Sequence, residues 1–123
     1  MPKQILVENK SRKIETLPVI KYCDTFLTQL RGFTLRDRLS RNDGLVLVGK
    51  RDSRLDSSIH MLFVSFDLTV IWISSNMQVV DKVLAKSWQP AYFSKQPAQY
   101  VLEIHPERWG DYEVGDTVQF KDV

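Results

Sequence analysis

The sequence predicts a mainly β domain of α+β type: a small antiparallel barrel-like or folded sheet with one short helix near residues 25–31. Three observations carry this. Between Ile59 and Ile73 only His60, Ser65, Asp67 and Thr69 interrupt an apolar run rich in β-branched and aromatic residues, the types that suit a pleated, buried surface. Seven or eight short apolar segments recur along the chain, parted by Asn, Asp, Gly and Pro turn signals. Only the segment after Asp24 has helical spacing together with end signals.

In chain order, Gln4–Val7 reads as a first strand and Asn9–Arg12 as a polar turn. Lys13–Tyr22 holds a second extended segment, which Pro18 places at an edge or bend. Asp24 is a natural N-cap for a helix from Thr25 to Arg31. Phe26, Leu27 and Leu30 form its apolar face, and Gly32 stands where a left-handed residue ends it. Residues 33–41 read as a loop or another helical turn. Asn42-Asp43-Gly44 is a turn, Leu45–Val48 an apolar strand, and 49–58 a charged excursion expected to be exposed and mobile. The central stretch reads as two strands, 59–63 and 68–74, bent around Ser65-Phe66-Asp67. Ser75-Asn76 then supplies a two-residue hairpin turn, and Met77–Leu84 returns as its partner. Residues 87–97, with Trp88, Pro90, Tyr92, Phe93 and Pro97, form an irregular segment expected to lie across the body. Gln99–Ile104 is a strand, His105–Gly110 a turn or single helical turn opened by Pro106, Gly115-Asp116 a turn, and Thr117–Phe120 the last strand.

With 123 residues and no linker or repeat, the expectation is a single domain over 1–123. No stretch approaches the ~20 apolar residues that span a bilayer, and the first residues lack a continuous apolar leader; a cytoplasmic protein with no membrane partner is expected. Cys23 is the only cysteine, so an intramolecular disulfide is excluded, and no Cys/His set has zinc-ligand spacing. His105 precedes Pro106 in a turn far from His60. Neither metal nor cofactor is expected. Charge is uneven: residues 31–54 hold seven Lys/Arg against three Asp, and residues 103–122 six acids against two bases. The plain reading is that these segments lie side by side; the other is an anion-facing surface.

Four segments resemble the uncharacterised family known as domain of unknown function 192. Arg31-Gly32-Phe33-Thr34-Leu35-Arg36-Asp37-Arg38-Leu39 is similar to its R-G-[LF]-x-x-R-x-x-L segment, and Asp43–Leu47 to its apolar strand after Gly. Ser58–Val70 is similar to its S-I-H-T stretch, and Tyr100–Glu103 with Val114–Val118 to its closing L-E and G-D pieces. Order and spacing agree over residues 20–120. Asp67 stands where the family has Pro and Thr69 where it has Asp, so any chemistry of that Asp does not carry over. The resemblance implies a compact β-rich fold and no particular activity.

His60 and Asp67 are the pair from which base catalysis would be built, since a carboxylate can orient an imidazole. No Gly-x-Ser-x-Gly or flanked catalytic Cys accompanies them. The plain alternative is an imidazole bonded to backbone and an Asp that caps a turn. Arg31 and Arg36 are the better candidates, because guanidinium groups just after a helix end hold carboxylate or phosphate through paired hydrogen bonds. Phe33 and Trp88 offer stacking faces. The absence of a glycine-rich phosphate loop and the modest pI of about 8.7 argue against nucleic acid. Trp72, Trp88 and Trp109 read as core or loop anchors, or as the lining of a barrel mouth. The sequence therefore predicts a non-catalytic binding or accessory module for a small anionic ligand or a protein partner, with Arg31, Arg36, His60, Asp67 and Trp88 as its site. The rival readings are a small hydrolase using His60 and Asp67, and an interaction module showing an exposed apolar patch.

Overall fold

A computed structural model describes residues 3–25, 39–62 and 64–123. The seven strands are β1 (Gln4–Asn9), β2 (Val19–Cys23), β3 (Asp43–Ser53), β4 (Leu68–Ile73), β5 (Val79–Ala85), β6 (Ala98–Ile104) and β7 (Val118–Asp122), with a 3₁₀ helix over Pro106–Asp111. They form one sheet in the order β5-β4-β6-β3-β2-β1-β7. The mainly β, barrel-like expectation holds. The helix expected at 25–31 lies outside the described residues beyond Thr25.

The sheet curls until its two edges meet at one end. Val79 N donates to Asp116 O at 2.8 Å, Gly115 N to Val79 O at 2.8 Å and Val118 N to Met77 O at 2.9 Å, so the start of β5 touches the start of β7 and the result is a half-barrel. One pairing departs from an all-antiparallel sheet: β2 runs parallel to β3, from Val19↔Asp43 to Cys23↔Leu47. A parallel pair needs a long connection, and the chain between Cys23 and Asp43 is long enough to supply one.

Both faces of the sheet are covered at β4, which explains why the apolar run showed no alternation. All six residues of β4 are buried. Leu68, Val70 and Trp72 join a cluster with Leu45, Ile59, Met61 and Val101. Ile71 and Ile73 face the other way, into a cluster with Ile5, Val7, Ile20, Leu102, Ile104 and Tyr112. Gly44 lies where β2 and β6 close on β3; a Cβ there would stand 3.0 Å from the Glu103 carbonyl and 2.9 Å from Ile104 Cγ2.

Three boundaries differ from the sequence expectation. The charged excursion is not loose from its start, because β3 continues to Ser53, with an irregularity in its pairing to β6 between Val48 and Ser53. The strand expected at 59–63 reduces to an isolated bridge between Ile59 and Tyr92. The turn after β4 places Met77, not Asn76, in the left-handed region (φ 66°); Met77 N closes the turn on Ser74 O at 2.9 Å.

Candidate functional site

The segments on either side of β4 and β5 are tied into a short two-stranded ribbon. Ile59 N donates to Tyr92 O at 3.0 Å and Tyr92 N to Ile59 O at 2.8 Å; Met61 N donates to Gln89 O at 2.9 Å and Trp88 N to Met61 O at 2.8 Å. Alternation along the first segment buries Ile59 and Met61 beneath the ribbon and leaves His60 and Leu62 exposed. The preceding turn is pinned to the core: Trp72 Nε1 donates to Ser57 O at 2.8 Å, and Ser57 Oγ to Ser53 O at 2.5 Å. Arg54 Nε reaches Ser94 O at 2.9 Å, joining this turn to the far end of the 86–97 segment. Large apolar side chains are left facing outward: Leu55 is 73% exposed, Trp88 54%, Phe93 53% and Leu62 39%.

The sequence-predicted residues fall unequally on this ribbon. Arg31 and Arg36 lie outside the described residues. His60 is exposed, and among the described residues its ring makes no hydrogen bond with Asp67. The Asp67 carboxylate is engaged elsewhere: Oδ1 accepts from Ser87 N at 2.9 Å, and Oδ2 lies 3.5 Å from Lys86 Nζ. It caps the turn that launches Trp88, a positioning job that takes this carboxylate away from His60. Trp88 sits at φ 66°. A bulky residue in the left-handed region is strained by about 1–3 kcal/mol and persists only when its surroundings hold it there; the Met61 carbonyl and the Asp67-capped turn hold it.

The opposed charges meet at one described point, Arg41 Nη1 to Glu107 Oε2 at 3.5 Å. Elsewhere Arg51 stands 3.9 Å from Asp56 in its own segment, and Asp52 is taken by Ser75 N at 2.8 Å and Ser75 Oγ at 2.7 Å.

Sequence reasoning passed over three buried polar residues. Glu103, on β6, stands between Leu45 and Val70 of the flanking strands and is 8% exposed; burial pushes its carboxyl up to about 8. Among the described residues nothing donates to it. Asp116 accepts from Arg12, Asn9 and the Glu113 amide, and the Arg12 guanidinium beside it holds its carboxyl well below the usual carboxylate range. Arg108, 2% exposed, donates to Arg41 O at 2.7 Å, Thr16 O at 2.8 Å and Asp111 Oδ2 at 2.9 Å. Only the L-E and G-D pieces of the family resemblance pointed toward Glu103 and Asp116, without a role; Arg108 has a local partner in Asp111, but the carbonyls of Thr16 and Arg41 that bury it come from distant segments.

Among the described residues no three His, Cys, Asp or Glu side chains are grouped so as to hold a metal ion, and no helix is long and apolar enough to cross a membrane.

Comparison with known proteins places this geometry in a wider group. A UPF0127 protein of Thermococcus kodakarensis is 42% identical over 103 residues, 82% of this chain and 64% of that protein. One of Thermococcus gammatolerans is 36% identical over 103 residues, 82% and 65% of the respective lengths. The chain thus spans less than two thirds of these relatives. In structure, a protein of unknown function from Novosphingobium aromaticivorans matches with a TM-score of 0.78 at 19% identity, over 94% of this chain and 83% of that one. A protein of Sinorhizobium meliloti described as a putative transcription regulator matches with a TM-score of 0.80 at 15% identity, over 98% and 94%. At such identities the two structures speak for the fold alone. The model of the DUF192 family, described as "Uncharacterized ACR", matches residues 6–120, and the chain belongs to that family.

Proposed function

We propose that this chain is a single-domain, non-catalytic binding or accessory module, working in the cytoplasm, whose working surface is the ribbon bearing His60, Leu62 and Trp88. The observation that supports it is Trp88. Its backbone is held in a strained conformation while the residue stays 54% exposed, and strained residues cluster at functional sites. The hydrolase reading loses its orienting carboxylate, since Asp67 is committed to Ser87 and Lys86.

A thermal-shift screen against nucleotides, polyanions and small carboxylates tests the small-anion form of this reading. A compound at 100 times its dissociation constant adds about 2.7 kcal/mol of stability. The expected result is a shift that Trp88→Ala abolishes. A shift that survives both Trp88→Ala and His60→Ala would place the site elsewhere and overturn the assignment. The second reading, a surface-docking module, is favoured by Leu55, Leu62, Trp88 and Phe93, which share one ribbon and its turn and are all exposed.

A further inference from the structure

We propose that the ribbon docks the protein on an anionic lipid bilayer, with Leu62, Trp88 and Phe93 entering the headgroup region while Lys50, Arg54, Lys86 and Lys95 face the lipid phosphates. The inference rests on the reading of the ribbon as the working surface and names what it meets.

Charge is the first argument. Residues 50–62 and 86–97 together carry five Lys/Arg and two Asp, and the 86–97 segment has no acid at all. Asp56 pairs with Arg51, and Asp67 lies 3.5 Å from Lys86 Nζ; Asp52 accepts from neutral Ser75 and keeps its charge, so the five bases still outnumber these three acids. Among the described residues Lys50 and Lys95 make no ion pair. The surface is therefore positive around an apolar centre, the complement of an anionic bilayer. Shape is the second. The exposed apolar residues sit at turns and on the outer face of the ribbon, and the amides of Ile59, Met61, Trp88 and Tyr92 are consumed within it. Those four positions offer no main-chain donor for adding a partner strand, whereas a bilayer asks for protruding side chains and no backbone partner. Residue type is the third: an amphipathic indole prefers the membrane–water boundary, and lysines extend their charge past an apolar stem toward phosphate. Among the described residues no helix is long and apolar enough to cross a membrane; a surface contact needs none.

The test is sedimentation of the full chain with vesicles of equimolar phosphatidylglycerol and phosphatidylcholine, against phosphatidylcholine alone, with indole emission recorded in a Trp109→Phe background. Binding to the anionic vesicles, weakening with salt and accompanied by a blue shift that Trp88→Ala removes, is expected. Reversing Lys86 and Lys95 to Glu should weaken binding by about tenfold or more, since each basic residue near such a surface contributes on the order of 1 kcal/mol. Equal binding to both vesicle types, no binding to either, or full displacement by free glycerol phosphate would each overturn the bilayer assignment. If vesicles fail but a Trp88-dependent small-anion shift survives, the ribbon remains the working surface and only its lipid partner falls. If Trp88→Ala changes neither readout, both fall. Capture of a protein by the ribbon with no affinity for vesicles also overturns the proposal. Melting curves of each variant confirm that it is folded.

Discussion

Asp116 grips Arg12 through both carboxylate oxygens, Oδ2 to Nε at 2.6 Å and Oδ1 to Nη2 at 3.0 Å. The same Oδ2 accepts from Asn9 Nδ2 at 2.8 Å and Glu113 N at 2.9 Å. Asn9 ends β1, and Asp116 belongs to the turn that closes the half-barrel against Val79. One side chain thus fastens the first strand to the seam where the sheet edges meet. A family-like Gly-Asp pair is explained here by construction: Gly115 supplies the left-handed turn (φ 97°) and Asp116 the clasp.

Asp116→Ala should cost about 2 kcal/mol. Charge-assisted hydrogen bonds contribute about 1.5–3 kcal/mol each, but Arg12 is 41% exposed and its share is screened. The folded-state carboxyl is held below its ordinary value of 3.8. Its contribution is therefore complete above that value and is lost as pH falls below it. Urea titrations at neutral and acid pH should show the variant losing less stability on acidification than the parent.

Glu103 carries the opposite sign. Its carboxyl is raised from 4.5 to about 8, so the folded chain keeps it neutral where the unfolded chain ionises. Stability from this group is full below 4.5 and declines as pH rises from 4.5 to about 8, then levels off. Glu103→Gln has nearly the same shape and no charge to desolvate. The variant should be more stable than the parent at pH 8 and should flatten the decline; a parent curve that rises across that window would refute the assignment.

Trp72→Phe isolates the anchor beneath the ribbon. The indole N–H satisfies Ser57 O in a site where Trp72 is 1% and Ser57 5% exposed. Removing the donor leaves a buried carbonyl without its partner, at a cost of about 1–3 kcal/mol. Hydrogen exchange should quicken first in the turn at residues 54–58, which this bond fastens to the sheet.

What was legible in the sequence follows from how local each cause is. β4 was readable because burial on both faces leaves a nearly continuous apolar run, β6 from its Tyr100-Val101-Leu102 centre, and the Pro106 start of the 3₁₀ helix because its signal lies within one turn. The parallel β2–β3 pair was not, since nothing within Val19–Cys23 tells which direction its partner runs. The extension of β3 through Lys50–Ser53 was hidden because it passes through an irregularity before pairing with β6 resumes at Ser53↔Ala98, which the poor strand propensity of those charged residues does not announce. For the site, Trp88 and Asp67 were visible as residue types. The clasp of Asp67 on the Ser87 amide was not, because it joins residues 20 positions apart.

Trp88→Asn separates stability from function. In the left-handed region Asn is tolerated where Trp is strained, and the backbone bond from residue 88 to Met61 O does not involve the side chain. Trp88 is 54% exposed, and the apolar contact of its buried remainder, roughly 100 Å², is lost in the variant and opposes the relief. The variant should melt close to the parent temperature, because strain relief of about 1–3 kcal/mol is offset by lost apolar burial of similar size. At the same time it should lose the blue shift and the affinity for anionic vesicles. A protein of unimpaired stability that no longer binds shows that the strain is kept for what Trp88 touches. A variant that unfolds more easily than the parent would show instead that the ring holds the ribbon together, and Trp88 would revert to the loop anchor that its sequence neighbours suggest.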